Sequence, residues 1–366
     1  MKFLLLPYVP HERKSARQQL ADLVDQAVLA EQLGFDAYGI GERHDGLIAG
    51  SSPAVILANA AARTSTIQLL TTVSTLGLHD PLRAFEDYST LDHLADGRLD
   101  LVIGKGGYAE THRIFGVTPD DQWDRLRENY EVFRRLWNET EVTWEGRFRP
   151  PLERVTALPR PGRPEVRIWH GANTNLASAD FAARHGDPLF TSIGTAAVGR
   201  YLESVRYYRE RFAFHGHDPQ RALVGVGTGG FHAAATSQEA VRKFTPVFDR
   251  RQVYNRRYEH AALDRLGITT VEDYIAKTSA LVGSTQQVIE IVLAQHETFQ
   301  HDLLHIHVDA EALTPEDYRA TLEIFATDIA PAIRKELPNK PIDDWQTPPP
   351  APTASGVPVS AAVDRG

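Results

Sequence analysis

The chain reads as an α/β protein, a closed (β/α)8 TIM barrel with insertions. Three observations predict this. Short apolar runs alternate with amphipathic stretches along most of its length, as strands alternate with helices. Repeated βα units of this kind demand a parallel sheet. About eight such units can be counted, which favours closure into a barrel over an open doubly wound sheet.

The first strand is residues 3–9, apolar enough to be buried, and an amphipathic helix over 17–33 is closed by Gly34. The second strand, 36–41, ends in Glu42-Arg43-His44-Asp45. A helix over 53–62 and a strand over 67–74 follow. Residues 79–108 form the most informative block. Pro81 opens its helix where the first turn tolerates proline, and Gly97 stops it in the position that favours a left-handed cap. The strand over 98–103 then leaves into Gly104, Lys105, Gly106, Gly107 and Tyr108. A glycine-rich turn with a cation after a parallel strand is a place for a phosphate.

A strong helix over 120–138 carries Trp123, Leu126, Tyr130, Phe133 and Trp137 on one stripe. The Pro-, Arg- and Gly-rich stretch 141–164 is an excursion with a small hairpin. Strands over 166–170, 189–192, 222–227 and 303–308 complete the set, with helices up to residue 184, over 196–214 and from 315 to about 337. The long insertion 231–284 holds Arg250, Arg251, Arg256 and Arg257 among aromatics; it either covers the barrel mouth as a lid or packs as a solvated helix on the rim. One domain over 1–338 is expected, then a Pro- and Ala-rich tail over 339–366 without a periodic apolar face, read as disordered.

Bulk composition narrows the function. With 42% hydrophobic residues, 366 residues suffice for a full core. A net charge of −9 argues against sequence-independent nucleic-acid binding and against an anionic membrane surface. No cysteine is present, so disulfides, thiolate metal sites and a cysteine nucleophile are excluded. The opening MKFLLLP is too short and too interrupted by Pro7 and Pro10 for a signal peptide, and no stretch is long enough to span a membrane, so a cytoplasmic protein is expected.

The functional face of a barrel is the carboxyl end of its strands. Those ends supply Glu42, Arg43 and His44; Val73, Ser74 and Thr75; the 104–108 turn; residues 170–174; Ser192; and His305 and His307. His305 and His307 share one strand face, but no carboxylate or histidine cluster joins them, and His296, Glu297 and His301 lack HExxH spacing. No metal is expected, and neither a GxSxG elbow nor a Walker loop occurs.

In order and spacing, these segments resemble the bacterial-luciferase-like family of flavin-dependent oxidoreductases from Phe3 to about Leu337. The resemblance rests on Gly34-Phe35-Asp36 leading to Glu42-Arg43-His44, on Pro81-Leu82-Arg83 with Glu86-Asp87, on 92–98, on Gly104-Lys105-Gly106, on 171–174 with Ala182-Ala183, and on Val282-Gly283-Ser284-Thr285. It implies the same barrel and a flavin cofactor. Lys105 takes the place of an arginine that grips the flavin phosphate, keeping the charge but losing the bidentate fork. Gly106 and Tyr108 match positions near the same cofactor, and Gly171, Ala172, Asn173 and Thr174 complete the phosphate site at the start of the fifth helix, where Thr174 could also act as its cap. Val73 and Ser74 match a strained peptide that supports the flavin ring in relatives.

Two departures stand out. Where luciferases carry Glu-His-His, this chain has Glu42-Arg43-His44, so either His44 handles the proton or Arg43 stabilises an anionic intermediate or substrate. The luciferases' reactive cysteine is replaced by Gly104, so light emission is not expected. The resemblance therefore implies a monooxygenase using reduced FMN and O2 through a C4a-hydroperoxyflavin to oxygenate a small organic substrate. A separate flavin reductase would supply the reduced cofactor, since no dinucleotide fingerprint is present, and a homodimer is implied as well. The alternatives are a deazaflavin-dependent hydride-transferring dehydrogenase or reductase and a non-catalytic flavin-binding protein.

Overall fold

The computed structural model describes residues 1–8, 14–44, 50–106, 109–193, 198–258 and 262–340. Twelve strands are found among them: β1 (Lys2–Tyr8), β2 (Ala37–Ile40), β3 (Gln68–Ser74), β4 (Leu99–Ile103), β5 (Val142–Trp144), β6 (Leu152–Val155), β7 (Ile168–Gly171), β8 (Leu189–Ser192), β9 (Val224–Gly227), β10 (Phe231–Ala234), β11 (Leu281–Ser284) and β12 (Leu303–Asp309). Eight close into a parallel barrel in the order β1-β12-β9-β8-β7-β4-β3-β2, and these are the eight barrel strands expected from sequence. β5 and β6 form the antiparallel hairpin of the 141–164 excursion. The reading of the tail over 339–366 falls almost wholly outside the described residues.

Local chemistry sets the element ends. Asp80 caps the helix Pro81–Leu94 by accepting the amides of Leu82 and Arg83 at 2.9 and 3.2 Å. Gly97, at φ 75°, returns its amide to the carbonyl of Asp92 at 2.9 Å and lets the chain turn directly into β4. Inside the barrel Leu4, Leu70, Val102, Trp169, Phe190 and Leu303 pack into one cluster, so the lumen is a filled core below the mouth.

The insertion departs from the expectation in one respect. It holds two further strands, β10 and β11, which pair in parallel with each other outside the barrel. Between them lies the helix Ser237–Tyr258, and a further helix, Thr285–Phe299, runs from β11 toward β12. Four-residue apolar strands cannot be told from buried helix segments by periodicity, which is why the pair went unread. Among the described residues, no helix is long and apolar enough to cross a membrane.

Candidate functional site

At the carboxyl ends of the barrel strands the chain encloses a cavity of about 800 Å3. Arg43, His44, Val73, Lys105, Gly106 and the four residues Gly171, Ala172, Asn173 and Thr174 all line it. Tyr108 lies outside the described residues.

Ser74 does not line the cavity; it is fully buried in the strand. Of the two residues matched to a flavin-supporting peptide, Val73 lines the cavity and Ser74 does not. A cis peptide links Thr72 and Val73. The Val73 side chain stands between two glycines: a Cβ on Gly104 would lie 3.1 Å from its Cγ2, and one on Gly171 3.2 Å from its Cγ1. The glycine at 104, where relatives carry cysteine, therefore leaves room for Val73. His170 also turns away from the mouth: its Nε2 meets Asp187 at 2.9 Å and its ring packs against Tyr130. Strand alternation sends it to the outer layer.

The 171–174 turn is partly engaged within the fold. The amide of Ala172 donates to the carbonyl of Phe190 at 3.1 Å, and Oδ1 of Asn173 accepts from the amide of Ser192 at 3.0 Å. Asn175, not Thr174, caps the helix Leu176–His185, accepting from Ser178 at 2.8 Å. Thr174 is thereby left facing the cavity.

Lys105 Nζ donates to Gln122 Oε1 at 2.8 Å and to the carbonyl of Gly106 at 3.2 Å, and it lies 5.5 Å from the ring centre of Trp123. Burial lowers its pKa. A half-buried ammonium with only neutral partners among the described residues suits an anionic ligand group.

The end of β2 builds a second feature. Oε1 of the fully buried Glu42 lies 2.7 Å from His44 Nε2 and 2.7 Å from His79 Nε2. The hydroxyl of Thr75 donates to the same oxygen, and the Thr75 amide donates to Oε2 at 2.9 Å. Burial alone would raise the Glu42 pKa. The hydrogen bonds from His44 and His79, the charge of His79 and the Thr75 hydroxyl outweigh it and hold the group at about 2. Burial likewise opposes charge on His79, but the bond and charge of Glu42 prevail, so its pKa is raised. An ionised carboxylate can only accept, so both imidazoles present Nε2–H to it. His44 consequently turns Nδ1 away from Glu42 as its remaining acceptor. Phe115 covers this pair, its ring centre 4.7 Å from that of His44.

The sign of this linkage gives a prediction. Ionised Glu42 stabilises the fold fully above about pH 4.5 and loses that effect as pH falls toward 2. Protonated His79 stabilises below about pH 6.5 and loses its effect as pH rises through its raised folded value. The stability gap between wild type and Glu42→Gln is therefore widest between about pH 4.5 and 6.5. Urea unfolding across pH measures it; a pH-independent gap would contradict the assignment.

The insertion helix Ser237–Tyr258 closes the other side, bringing Phe244, Val247, Arg251 and Tyr254 to the cavity on one helical face. Of the two placements open from sequence, these residues take the one over the mouth. The guanidiniums of Arg43 and Arg251 lie 5.2 and 5.3 Å from the Tyr254 ring centre. Arg256 instead is exposed and pairs with Asp264 at 3.2 Å. At the floor, His305 stacks on Phe190 at 4.4 Å, and its Nε2 donates to the carbonyl of Thr191 at 3.2 Å. Burial lowers the pKa of His305 to about 4 and of His307 to about 3, so both are neutral near pH 7. Among the described residues no three His, Asp or Glu side chains gather as metal ligands.

Sequence reasoning missed Glu42 as a bridge, His79, and the cavity face of the insertion helix. The Phe244, Val247, Arg251, Tyr254 spacing was a readable signal for the last.

A barrel whose strand ends open into a partly apolar cavity, with a few convergent polar groups, is a small-molecule site of the kind barrel enzymes carry. The chain belongs to the luciferase-like monooxygenase family, whose model matches residues 1–302. The y4wF protein of Sinorhizobium fredii is 32% identical over 204 residues, and that match spans 55% of this chain and 59% of the relative. The 4-hydroxyprotoasukamycin monooxygenase of Streptomyces nodosus subsp. asukaensis is 34% identical, with 84% of this chain and 85% of that protein covered. The F420-dependent glucose-6-phosphate dehydrogenase of Intrasporangium calvum is 26% identical, covering 86% and 95%. Among solved structures, monooxygenase RslO1 from Streptomyces bottropensis superposes with a TM-score of 0.80 at 27% identity, covering 91% of this chain and 99% of that one. The FMN-bound oxygenating constituent of 3,6-diketocamphane monooxygenase from Pseudomonas putida shares the fold at a TM-score of 0.78 and 21% identity, with 91% and 99% covered.

Proposed function

We propose that the chain is a monooxygenase that uses reduced FMN and O2, supplied with reduced cofactor by a separate reductase. The observation that carries the reading is the pairing, in one cavity, of the half-buried Lys105, whose partners among the described residues are neutral, and a histidine bonded through Nε2 to a buried carboxylate. The residues present fit the cofactor: Lys105 and the polar 171–174 turn would hold its phosphate, and Val73 offers apolar surface framed by Gly104 and Gly171. When bound, reduced flavin supplies the electrons that activate dioxygen. The chain's own part is distinct. Nδ1 of His44 holds or moves a proton, Arg43 offers charge to an anionic species, and Phe244, Val247 and Tyr254 keep bulk water from the mouth.

The same cavity would also receive a deazaflavin and pass hydride instead, and the similarity to an F420-dependent dehydrogenase favours keeping that second reading. Titration of the protein with reduced FMN and with reduced deazaflavin, each followed by mixing with O2, separates the two. Oxygen-dependent turnover with FMN supports the monooxygenase; tight deazaflavin binding with no oxygen-dependent signal overturns it. Binding of either cofactor without turnover of any substrate would leave a cofactor carrier.

Lys105→Ala is expected to weaken binding of the phosphorylated flavin by about 10- to 100-fold, the loss of one charge-assisted contact. Riboflavin, which has no phosphate, should bind both forms equally, as fluorescence titration would show.

A further inference from the structure

We infer that His79 is a positioning residue that sets the proton affinity of His44 through their shared carboxylate oxygen. The statement rests on the proposed role of His44 only for its consequence in catalysis; the geometry and its test stand without it.

The geometry is specific. Both Nε2 atoms lie 2.7 Å from the same Oε1 of Glu42. The three side chains differ in where they look. Glu42 and His44 line the cavity, the Glu42 side chain without solvent exposure, while His79 does not line it and keeps 34% of its side chain exposed. One imidazole thus faces the cavity, the other keeps contact with solvent, and a single carboxylate joins them. His79 is held in place independently of this contact. Asn129 Nδ2 donates to the carbonyls of Leu76 and His79 at 3.0 and 2.8 Å, anchoring the turn that carries it.

Electrostatics give the arrangement a direction. A carboxylate with one histidine favours the imidazolium strongly. With a second positive imidazole on the same oxygen, that carboxylate is shared, and the two cations repel. A charged His79 therefore competes with His44 for the carboxylate. The charges facing His79 are few. Glu42 and Asp87 act on it, Asp87 being paired with Arg83, and the Tyr88 hydroxyl beside Glu42 is held neutral by burial. Phe115 adds only an apolar ring, 6.5 Å away. Asp80, next in the chain to His79, is paired with Arg149 at 3.3 Å, and Arg43 stands between Glu42 and His44 in the chain and lines the cavity.

The sign follows. Replacing His79 by a neutral donor removes a neighbouring positive charge and leaves Glu42 to His44 alone, so the His44 pKa rises. His79→Gln keeps a donor to Glu42 and should raise the His44 pKa by about one unit. His79→Lys keeps both donor and charge and should leave it near the wild-type value. The readout is 15N and 1H NMR titration of the His44 ring in the full chain without added cofactor, assigned by comparison with His44→Asn. Near-UV circular dichroism confirms that each variant is folded. An upward shift in His79→Gln that His79→Lys restores supports the inference. Equal shifts in both variants, or none in either, overturn it and leave His79 a packing residue. If His44 titrates as expected yet no cofactor is turned over, the functional proposal fails while this one stands. In an active enzyme the acidic limb of the kcat/KM profile should move by the same amount as the NMR shift.

Discussion

His44→Gln is expected to lower turnover by about 100- to 10,000-fold, the range lost with a positioned acid or base. The glutamine amide nitrogen stands where Nε2 stood, so a donor to Oε1 is kept. What disappears is Nδ1, the ring nitrogen of His44 not bonded to Glu42, on a residue that lines the cavity. Cofactor affinity should be unchanged, because Lys105, the proposed phosphate contact, belongs to a different strand end. Rapid-reaction kinetics would place the loss in the chemical step. Wild-type turnover in His44→Gln would move the proton-handling role to another group, with Arg43 limited to charge stabilisation because guanidinium does not titrate in this range.

Gly227→Ala carries the largest expected structural effect. A Cβ at this position would lie 1.7 Å from His305 Cε1 and 1.9 Å from its Nε2. His305 is itself confined, stacked on Phe190 with an interplanar angle of 12° and bonded through Nε2 to Thr191. It cannot stay. Overpacking costs roughly 1–3 kcal/mol, and the lost buried hydrogen bond about 1 kcal/mol more. The melting temperature should fall by several degrees, about 2–4 °C for each kcal/mol in a chain of moderate size. The double variant Gly227→Ala/His305→Ala should recover part of that loss, because the clash is pairwise. A simple sum of the two single effects would show that the ring can move away freely.

The two cases show different degrees of legibility. Eight βα units could be counted because strand and helix periods are local, decided within a few residues of each other. The glycine stop at Gly97 and the glycine-rich exit of β4 were equally local, and the likeness to the luciferase family lay in short motifs read in order. Lys105 followed from the exit of β4 for the same reason. By contrast, Ser74 was placed with Val73 because both follow one another at a strand end, and only the packed strand shows one of them buried and the other at the cavity. Thr174 was read as part of the phosphate site that could also cap the helix, whereas Asn175 takes the cap, since helix starts are legible in sequence only to within a residue or two.

By itself the sequence determined the barrel, its strand ends and the cationic, glycine-rich turn at the mouth, because each depends on neighbours along the chain. The tertiary structure alone decided which side chains meet. Glu42 and His79 are 37 residues apart and join because β2 and the turn after β3 are adjacent in the closed sheet. Val73 stands between Gly104 and Gly171 for the same reason, on three strands that pair in sequence around the barrel. Barrel closure turns distance along the chain into contact, and no period within the chain encodes which atoms then face one another.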